Sequence, residues 1–204
     1  MLDWKQRRRT ISAIATIHVC AARHFFGYFP SPAVAYRTIK KLHDDGFLKR
    51  VGKVISKGSG RPENVYCNGW KPKADQLEHE LLLTDFCICF PDAAFKRGWI
   101  VDRTLKPDAE MILDGTRFNV ELDTGEQSHT QVRKRQKRYA DSTDFLLYVT
   151  QSDRRLEFLQ KKADDCVRSI ALFTTLANVQ RNPKSETLLV DCFGERCPIR
   201  PAAC

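Results

Sequence analysis

The dipeptide Asp114-Gly115 limits the possible folds of this chain more than any other feature of its sequence. An Asp-Gly pair between two alternating stretches is the strongest short-range signal for a β-hairpin closed by a two-residue turn. Residues 107–113 and 117–123 flank the pair and have the length of strands. Because such a turn fixes the strand register, Asp108 is expected to lie directly opposite Glu121.

This register sets two carboxylates against each other. Alternation also places Glu121 and Asp123 on one face, about 7 Å apart, and like charges directly opposite repel. A divalent cation, Mg²⁺ or Mn²⁺, binds such oxygen ligands and activates water for phosphodiester cleavage. The hypothesis is a nuclease centre in which Asp108 and Glu121 hold the metal and Asp123 assists. The alternative is the solvated face of a half-exposed hairpin.

The chain around this hairpin predicts an α/β domain. The apolar run at 144–150 fits a buried parallel strand, and it precedes a helix at 154–165 and strands at 169–175 and 187–192. Residues 99–101 begin a further strand ahead of the hairpin. A strand, helix, strand order after a hairpin implies a mixed sheet flanked by helices.

The excess of positive charge lies in the first third of the chain. Lys and Arg outnumber Asp and Glu by 34 to 25, a net charge of +9. Residues 1–70 hold 13 basic and 4 acidic side chains, whereas residues 71–204 hold 21 of each. This excess predicts an anionic partner. The change in charge balance predicts these segments: a first domain 1–69, a linker 70–75, a second domain 76–191 and a tail 192–204.

The basic third has the pattern of a winged helix-turn-helix. Apolar spacing predicts a helix over 7–22 and a short one ending near Tyr28, and Ser31-Pro32 supplies the N-cap and first turn of a third. Two strands, 49–55 and 63–67, are joined by a glycine-rich basic loop. In a winged helix the third helix enters the major groove and the hairpin contacts the flanking phosphates.

The third helix therefore predicts a surface for double-stranded DNA. Ala35, Ile39 and Leu42 fall on one side of it, and polar and basic residues fall on the other. The alternative is a solvated helix face, which most charge runs are. The stretch 31–66 also resembles the winged helices of many bacterial DNA-binding proteins. We assign Tyr36, Arg37 and Lys40 to the groove with Lys41 beside them, and Lys53, Lys57 and Arg61 to phosphates.

The carboxylates belong to a motif that resembles a nuclease superfamily. Pro107-Asp108, followed after a hairpin by Glu121-x-Asp123, is similar to the PD-(D/E)xK motif of many restriction enzymes. The resemblance implies a restriction-endonuclease-like fold, metal ligation by Asp108 and Glu121, and a lysine two positions after the glutamate. Asp123 stands at that lysine position, and a carboxylate does not replace a positive charge. Lys134 or Lys137, in the basic stretch 133–138, is the candidate for the missing cation. Many members of this nuclease fold add a carboxylate from an early helix, so the resemblance makes Glu80 a further candidate.

A wider resemblance covers residues 10–175. His79 in a leucine-rich helix, the stretches 106–109 and 121–123, and a basic helix ending in Tyr139 resemble the replication-relaxation family. That resemblance implies a role in plasmid replication, DNA relaxation or mobilisation. Two alternatives are an accessory protein that recruits a replication or mobilisation partner, with its second domain forming a homodimer or docking surface, and a transcription regulator.

Several other classes lack support in the sequence. No apolar run approaches the roughly 20 residues of a membrane span, and neither a phosphate-cradling glycine loop nor a Gly-x-Ser-x-Gly sequence occurs. The eight cysteines include no Cys-x-x-Cys pair, which favours free thiols over a zinc site or a disulfide scaffold. We therefore expect a cytoplasmic protein.

Overall fold

The structure is a computed structural model that describes residues 4–55, 62–69, 71–97 and 104–199. The chain forms two compact units, residues 1–88 and 89–204. Helices and a seven-stranded mixed sheet give the molecule an α/β architecture, as the sequence predicts. In the described ranges, no helix combines the length and the apolar character that crossing a bilayer requires.

The first unit combines helices with a small antiparallel sheet of strand order β1-β3-β2. The sequence predicts most of these elements to within a few residues. The helix expected over 7–22 was wrong at its end, because α1 stops at Ile17 and β1 follows, and the second predicted helix forms as a 3-10 helix. The elements are α1 (Trp4–Ile17), β1 (Cys20–Ala21), a 3-10 helix (Ala22–Tyr28), α2 (Pro32–Asp44), β2 (Lys49–Ile55), β3 (Pro62–Cys67), a second 3-10 helix (Ala74–Gln76) and α3 (Leu77–Cys87).

Helix α3 packs on the first unit. Its residues Leu77 and Leu81 are buried in one cluster with Val19, Ala21 and Val65 of the small sheet and the segment leading into it. The hydroxyl of Thr84 in α3 donates to the main-chain oxygen of Val19 at 2.7 Å. The sequence analysis placed the domain boundary at 70–75, ahead of this helix. The structure divides the chain after residue 88, because the leucines of α3 cover the sheet of the first unit.

The second unit is built on the large sheet, whose strands follow the chain in the order β4 to β10. Strands β6, β7 and β8 are parallel, and the outer pairs are antiparallel. The elements are β4 (Ala94–Arg97), β5 (Ala109–Leu113), β6 (Thr116–Asp123), α4 (His129–Gln136), a 3-10 helix (Lys137–Tyr139), β7 (Phe145–Thr150), α5 (Asp153–Lys161), a 3-10 helix (Asp165–Val167), β8 (Ala171–Thr175), α6 (Leu176–Arg181), β9 (Leu189–Asp191) and β10 (Arg196–Cys197).

The hairpin register of β5 and β6 is confirmed. The pairing begins with Leu113 facing Thr116 at the turn and continues to Ala109 facing Val120. Strand β6 is not half exposed, however, because it also pairs with β7, and residues 118–123 are buried on both faces. Its polar residues therefore need partners inside the protein.

The sequence analysis missed strand β4 at one edge of the large sheet, strand β10 at the other edge, which lies in the predicted tail, and helix α6. The strand expected at 99–101 lies outside the described residues, whereas β4 ends at Arg97. Lys96 faces Glu110 of β5, and their side chains form an ion pair at 3.1 Å. Charged residues are common on edge strands because they discourage pairing with other chains.

Candidate functional site

Helix α2 of the first unit has one buried and one exposed side. Ser31 caps its N-terminus, accepting a hydrogen bond from the main-chain nitrogen of Val34, and Pro32 occupies the first turn. The buried side consists of Ala35, Ile39 and Leu42. The side chains assigned to the DNA groove lie on the opposite side and are all exposed: Tyr36, Arg37, Lys40 and Lys41.

Two of these cations have acidic neighbours one turn further along α2. Lys40 pairs with Asp44 at 2.5 Å, and Lys41 pairs with Asp45 at 3.1 Å. The sequence analysis did not foresee these pairs, although the spacing of four residues is the signal for them. Exposed pairs of this kind contribute little to stability, because water screens the charges. Arg37 forms no ion pair with any residue that the structure describes.

Strand β2 carries three further exposed cations. Lys53, assigned to phosphate contacts, is exposed on this strand, and so are Lys49 and Arg50, which the sequence analysis did not single out. The other two phosphate assignments, Lys57 and Arg61, lie outside the described residues.

The second unit contains a buried carboxylate cluster around Glu121. This side chain has 0 % exposure. Its Oε1 atom accepts a hydrogen bond from the hydroxyl of Tyr139 at 2.6 Å, and its Oε2 atom forms an ion pair with Arg135. Both partners come from the segment between β6 and β7, so the crossover that joins two parallel strands also covers the glutamate.

Asp108 belongs to the same cluster. It directly precedes β5, so the confirmed register brings it beside β6, and its main-chain nitrogen donates to the oxygen of Val120. Its Oδ2 atom accepts from the main-chain nitrogen of Leu122 at 2.9 Å and lies 3.8 Å from Nη1 of Arg135. The two carboxylates predicted to meet therefore share one guanidinium group.

The protonation of Glu121 reflects this environment. Burial, reinforced by the charge of Asp108, raises the pKa of Glu121 to about 8. Arg135 and Tyr139 lower this pKa but offset only part of the effect. Burial also raises the pKa of Tyr139 far above its usual value, so its hydroxyl keeps its proton as a donor.

Asp123 is neutralised by a different arginine. Nε and Nη2 of Arg155 donate to its two carboxylate oxygens at 2.8 and 2.9 Å, a bidentate arrangement. Arg155 also donates to the main-chain oxygen of Gln127, and the nitrogen of Gly125 donates to Asp123. The position that holds lysine in the nuclease motif is thus occupied by an aspartate, and Arg155 of α5 balances the charge of this aspartate.

The remaining predicted site residues are placed elsewhere. Lys137 is exposed, and the cation at Glu121 is Arg135 from the same basic stretch. Glu80 lies on α3 in the first unit, where His79 is its neighbour at 3.8 Å. The sequence analysis named Lys134 and Lys137 of this stretch as candidates for the motif's missing cation, whereas the residue that contacts Glu121 is Arg135. It missed Arg155, since nothing local links position 155 to position 123.

The donor set does not fit a divalent cation in this arrangement. Nη1 of Arg135 contacts carboxylate oxygens of both Asp108 and Glu121, so a metal that bridged these oxygens would have to displace the guanidinium. Within the described ranges, no three His, Cys, Asp or Glu side chains are grouped as a metal site requires. Binding of Mg²⁺ or Mn²⁺ by Asp108 and Glu121 stays a sequence-based prediction that requires Arg135 to move.

Comparison with known proteins gave no match to any family model, curated protein or solved structure.

Proposed function

We propose that this chain is a protein that binds double-stranded DNA through the first unit, with α2 as the recognition helix of a winged helix. One observation carries this proposal: α2 buries its apolar side completely and presents Tyr36, Arg37, Lys40 and Lys41 on the other. The order of helices and the antiparallel β2 and β3 that follow α2 support it, because a winged helix places its hairpin after the recognition helix.

The ion pairs on α2 are compatible with this role. Pairs such as Lys40 with Asp44 are exposed, and water screens their attraction. Phosphate oxygens can replace the carboxylates as partners at little cost. Arg37 is exposed on the same side, and its planar guanidinium suits bidentate contact with guanine or with phosphate. Lys53, Lys49 and Arg50 on β2 extend the positive surface.

For the second unit we propose a nuclease-like α/β domain without phosphodiester cleavage. The supporting observation is that arginines balance each carboxylate of the motif: Arg135 contacts Asp108 and Glu121, and Arg155 binds Asp123. A protein of this kind acts as an accessory factor, which binds a site on DNA and supports replication or mobilisation of a plasmid or other mobile element, or as a transcription regulator.

Substitution on α2 and β2 tests the DNA-binding proposal. The double variant Arg37→Gln/Lys53→Gln should bind a mixed-sequence duplex more weakly by about 1–3 kcal/mol, measured by fluorescence anisotropy at low salt. The matched control is Lys71→Gln/Lys73→Gln, which removes the same charge from exposed positions of the same unit. Equal affinity of the two double variants would refute the assignment of α2 and β2. A wild-type chain that does not bind duplex DNA would refute the function.

A further inference from the structure

The crossover segment between β6 and β7 carries five cations in six residues, Arg133 to Arg138 with Gln136 as the exception. Two of the five have acidic partners inside the second unit. Arg135 pairs with the buried Glu121, and Arg133 pairs with Asp164 at 2.6 Å. These two cations are accounted for by the structure of the unit itself.

The other three cations are exposed and lie on one side of the segment. Lys134 lies in α4, and Lys137 and Arg138 lie in the 3-10 helix that continues it. A spacing of three and four residues brings side chains close together on a helical surface. We name these three residues the cationic ridge. None of them forms an ion pair with a residue in the described part of the chain.

The inner side of the same segment holds the cationic ridge in place. Val132, Gln136 and Tyr139 are buried. The side-chain oxygen of Gln136 accepts from the main-chain nitrogen of Asp164 at 2.9 Å, and Tyr139 donates to Glu121. The ridge is therefore presented on a fixed platform, which limits the entropy lost when an anion binds.

The cationic ridge is not explained by the stability of the unit. Lys134 and Arg138 carry like charges four residues apart, and such charges repel on a helical surface. The helix dipole favours cations in the last turn of α4, where Lys134 lies with Arg133 and Arg135. It does not account for Lys137 and Arg138, which lie beyond α4 in the 3-10 helix. A bound polyanion would remove this repulsion.

We propose that the cationic ridge is a second contact to the phosphate backbone of DNA, made by the second unit without regard to base sequence. This proposal rests on the proposed function, since it assigns the second unit a part in holding the same class of partner. Lysine ammonium groups act as point charges and arginine binds phosphate in a bidentate manner. Three such groups at helical spacing suit a row of phosphates better than an isolated carboxylate.

The salt dependence of binding by the full chain tests the cationic ridge. The logarithm of the affinity for duplex DNA falls with the logarithm of salt concentration, with a slope of about 0.9 per phosphate contact. The variant Lys134→Gln/Lys137→Gln/Arg138→Gln should lower that slope by about 2–3 and weaken binding equally on duplexes of unrelated sequence. The matched control, Arg154→Gln/Lys162→Gln/Lys184→Gln, removes the same charge from exposed positions of the second unit and should change the slope much less.

The outcomes separate this proposal from the function it rests on. If the ridge variant keeps the wild-type slope while Arg37→Gln/Lys53→Gln binds weakly, the cationic ridge is refuted and DNA binding by the first unit stands. If the ridge variant and its control show equal slopes, the change in salt dependence follows from net charge alone, and the proposed phosphate contact by the cationic ridge is refuted. Loss of binding to polyglutamate with unchanged DNA binding would identify the ridge as a surface for acidic proteins instead. A wild-type chain that does not bind DNA refutes both proposals.

Discussion

At the scale of single residues, the second unit is organised by the cost of burying a carboxylate. Glu121 lies in the middle of a sheet, where an unpaired charge would be expensive. Arg135 and Tyr139 supply an ion pair and a hydrogen bond, yet burial still favours the protonated form. The sequence predicts that Asp108 and Glu121 meet, because a two-residue turn fixes register. It does not predict that an arginine neutralises them, because that contact depends on how the crossover packs.

The raised pKa of Glu121 predicts a specific pH dependence of stability. The carboxyl keeps its proton in the folded state up to about pH 8, whereas the unfolded chain releases it near pH 4.5. The folded state therefore binds more protons in this window, and the contribution of Glu121 to the free energy of unfolding falls as pH rises through it. Glutamine does not titrate, so Glu121→Gln lacks this pH-dependent contribution. The free energy of unfolding of the variant, relative to that of the wild type, should therefore rise by a few kcal/mol as pH increases from about 4.5 to about 8.

Thermal unfolding followed by circular dichroism across this pH range measures the effect. Glu157→Gln is the control, because Glu157 is an exposed glutamate on α5 of the same unit. Parallel pH profiles for wild type and Glu121→Gln would show that Glu121 ionises normally.

At the scale of elements, patterns in the sequence locate helices and strands but not their partners. The cap Ser31, the apolar spacing of α2 and the Asp114-Gly115 turn predict these elements because each signal is local. The leucines of α3 predict a buried side equally well. They do not show that this side packs on β1 and β3, since any apolar surface satisfies them. Arg135 and Arg155 were not predicted for the same reason, because the sequence does not distinguish an arginine that pairs with a buried carboxylate from one that is exposed.

The contact between β2 and α3 yields a prediction about Gly52. A Cβ atom at this position would lie 2.4 Å from Cδ1 of the buried Leu77, so Gly52→Ala forces Leu77 to move. Overpacking of this kind costs about 1–3 kcal/mol. Gly27→Ala is the matched control, because its Cβ would meet no atom within 4 Å. Urea unfolding compares the two variants.

A double variant distinguishes the clash from a general effect on β2. If the Cβ of residue 52 competes with Leu77 for space, then Gly52→Ala/Leu77→Ala should lose less stability than the sum of the single variants. Additive losses, or equal stability of Gly52→Ala and Gly27→Ala, would contradict the close approach of β2 and α3.

At the scale of the whole molecule, the two units differ in charge. Residues 1–88 hold 15 basic and 8 acidic side chains, and residues 89–204 hold 19 and 17. Long-range attraction of an anionic partner therefore comes from the first unit, whereas the second unit offers only local positive charge. This division was visible in the sequence, because net charge does not depend on folding.

Both units together are tested by a plasmid assay. The full chain, incubated with supercoiled plasmid and Mg²⁺ or Mn²⁺, should produce no more nicked plasmid than Glu121→Ala, since arginines occupy the carboxylates of the motif. Gel electrophoresis measures the nicked form, and Glu157→Ala serves as a control for the preparation. Metal-dependent nicking by wild type and Glu157→Ala that disappears in Glu121→Ala would overturn the non-catalytic assignment.

The packing of α3 determines where this chain can be truncated. Leu77 and Leu81 cover Val19, Ala21 and Val65. A fragment that stops at residue 75 would expose these apolar side chains to water, and exposed apolar surfaces promote aggregation. A fragment that extends to residue 88 includes α3, which covers these side chains. We therefore expect residues 1–88 to be the smallest piece of the first unit that folds without exposing these apolar side chains.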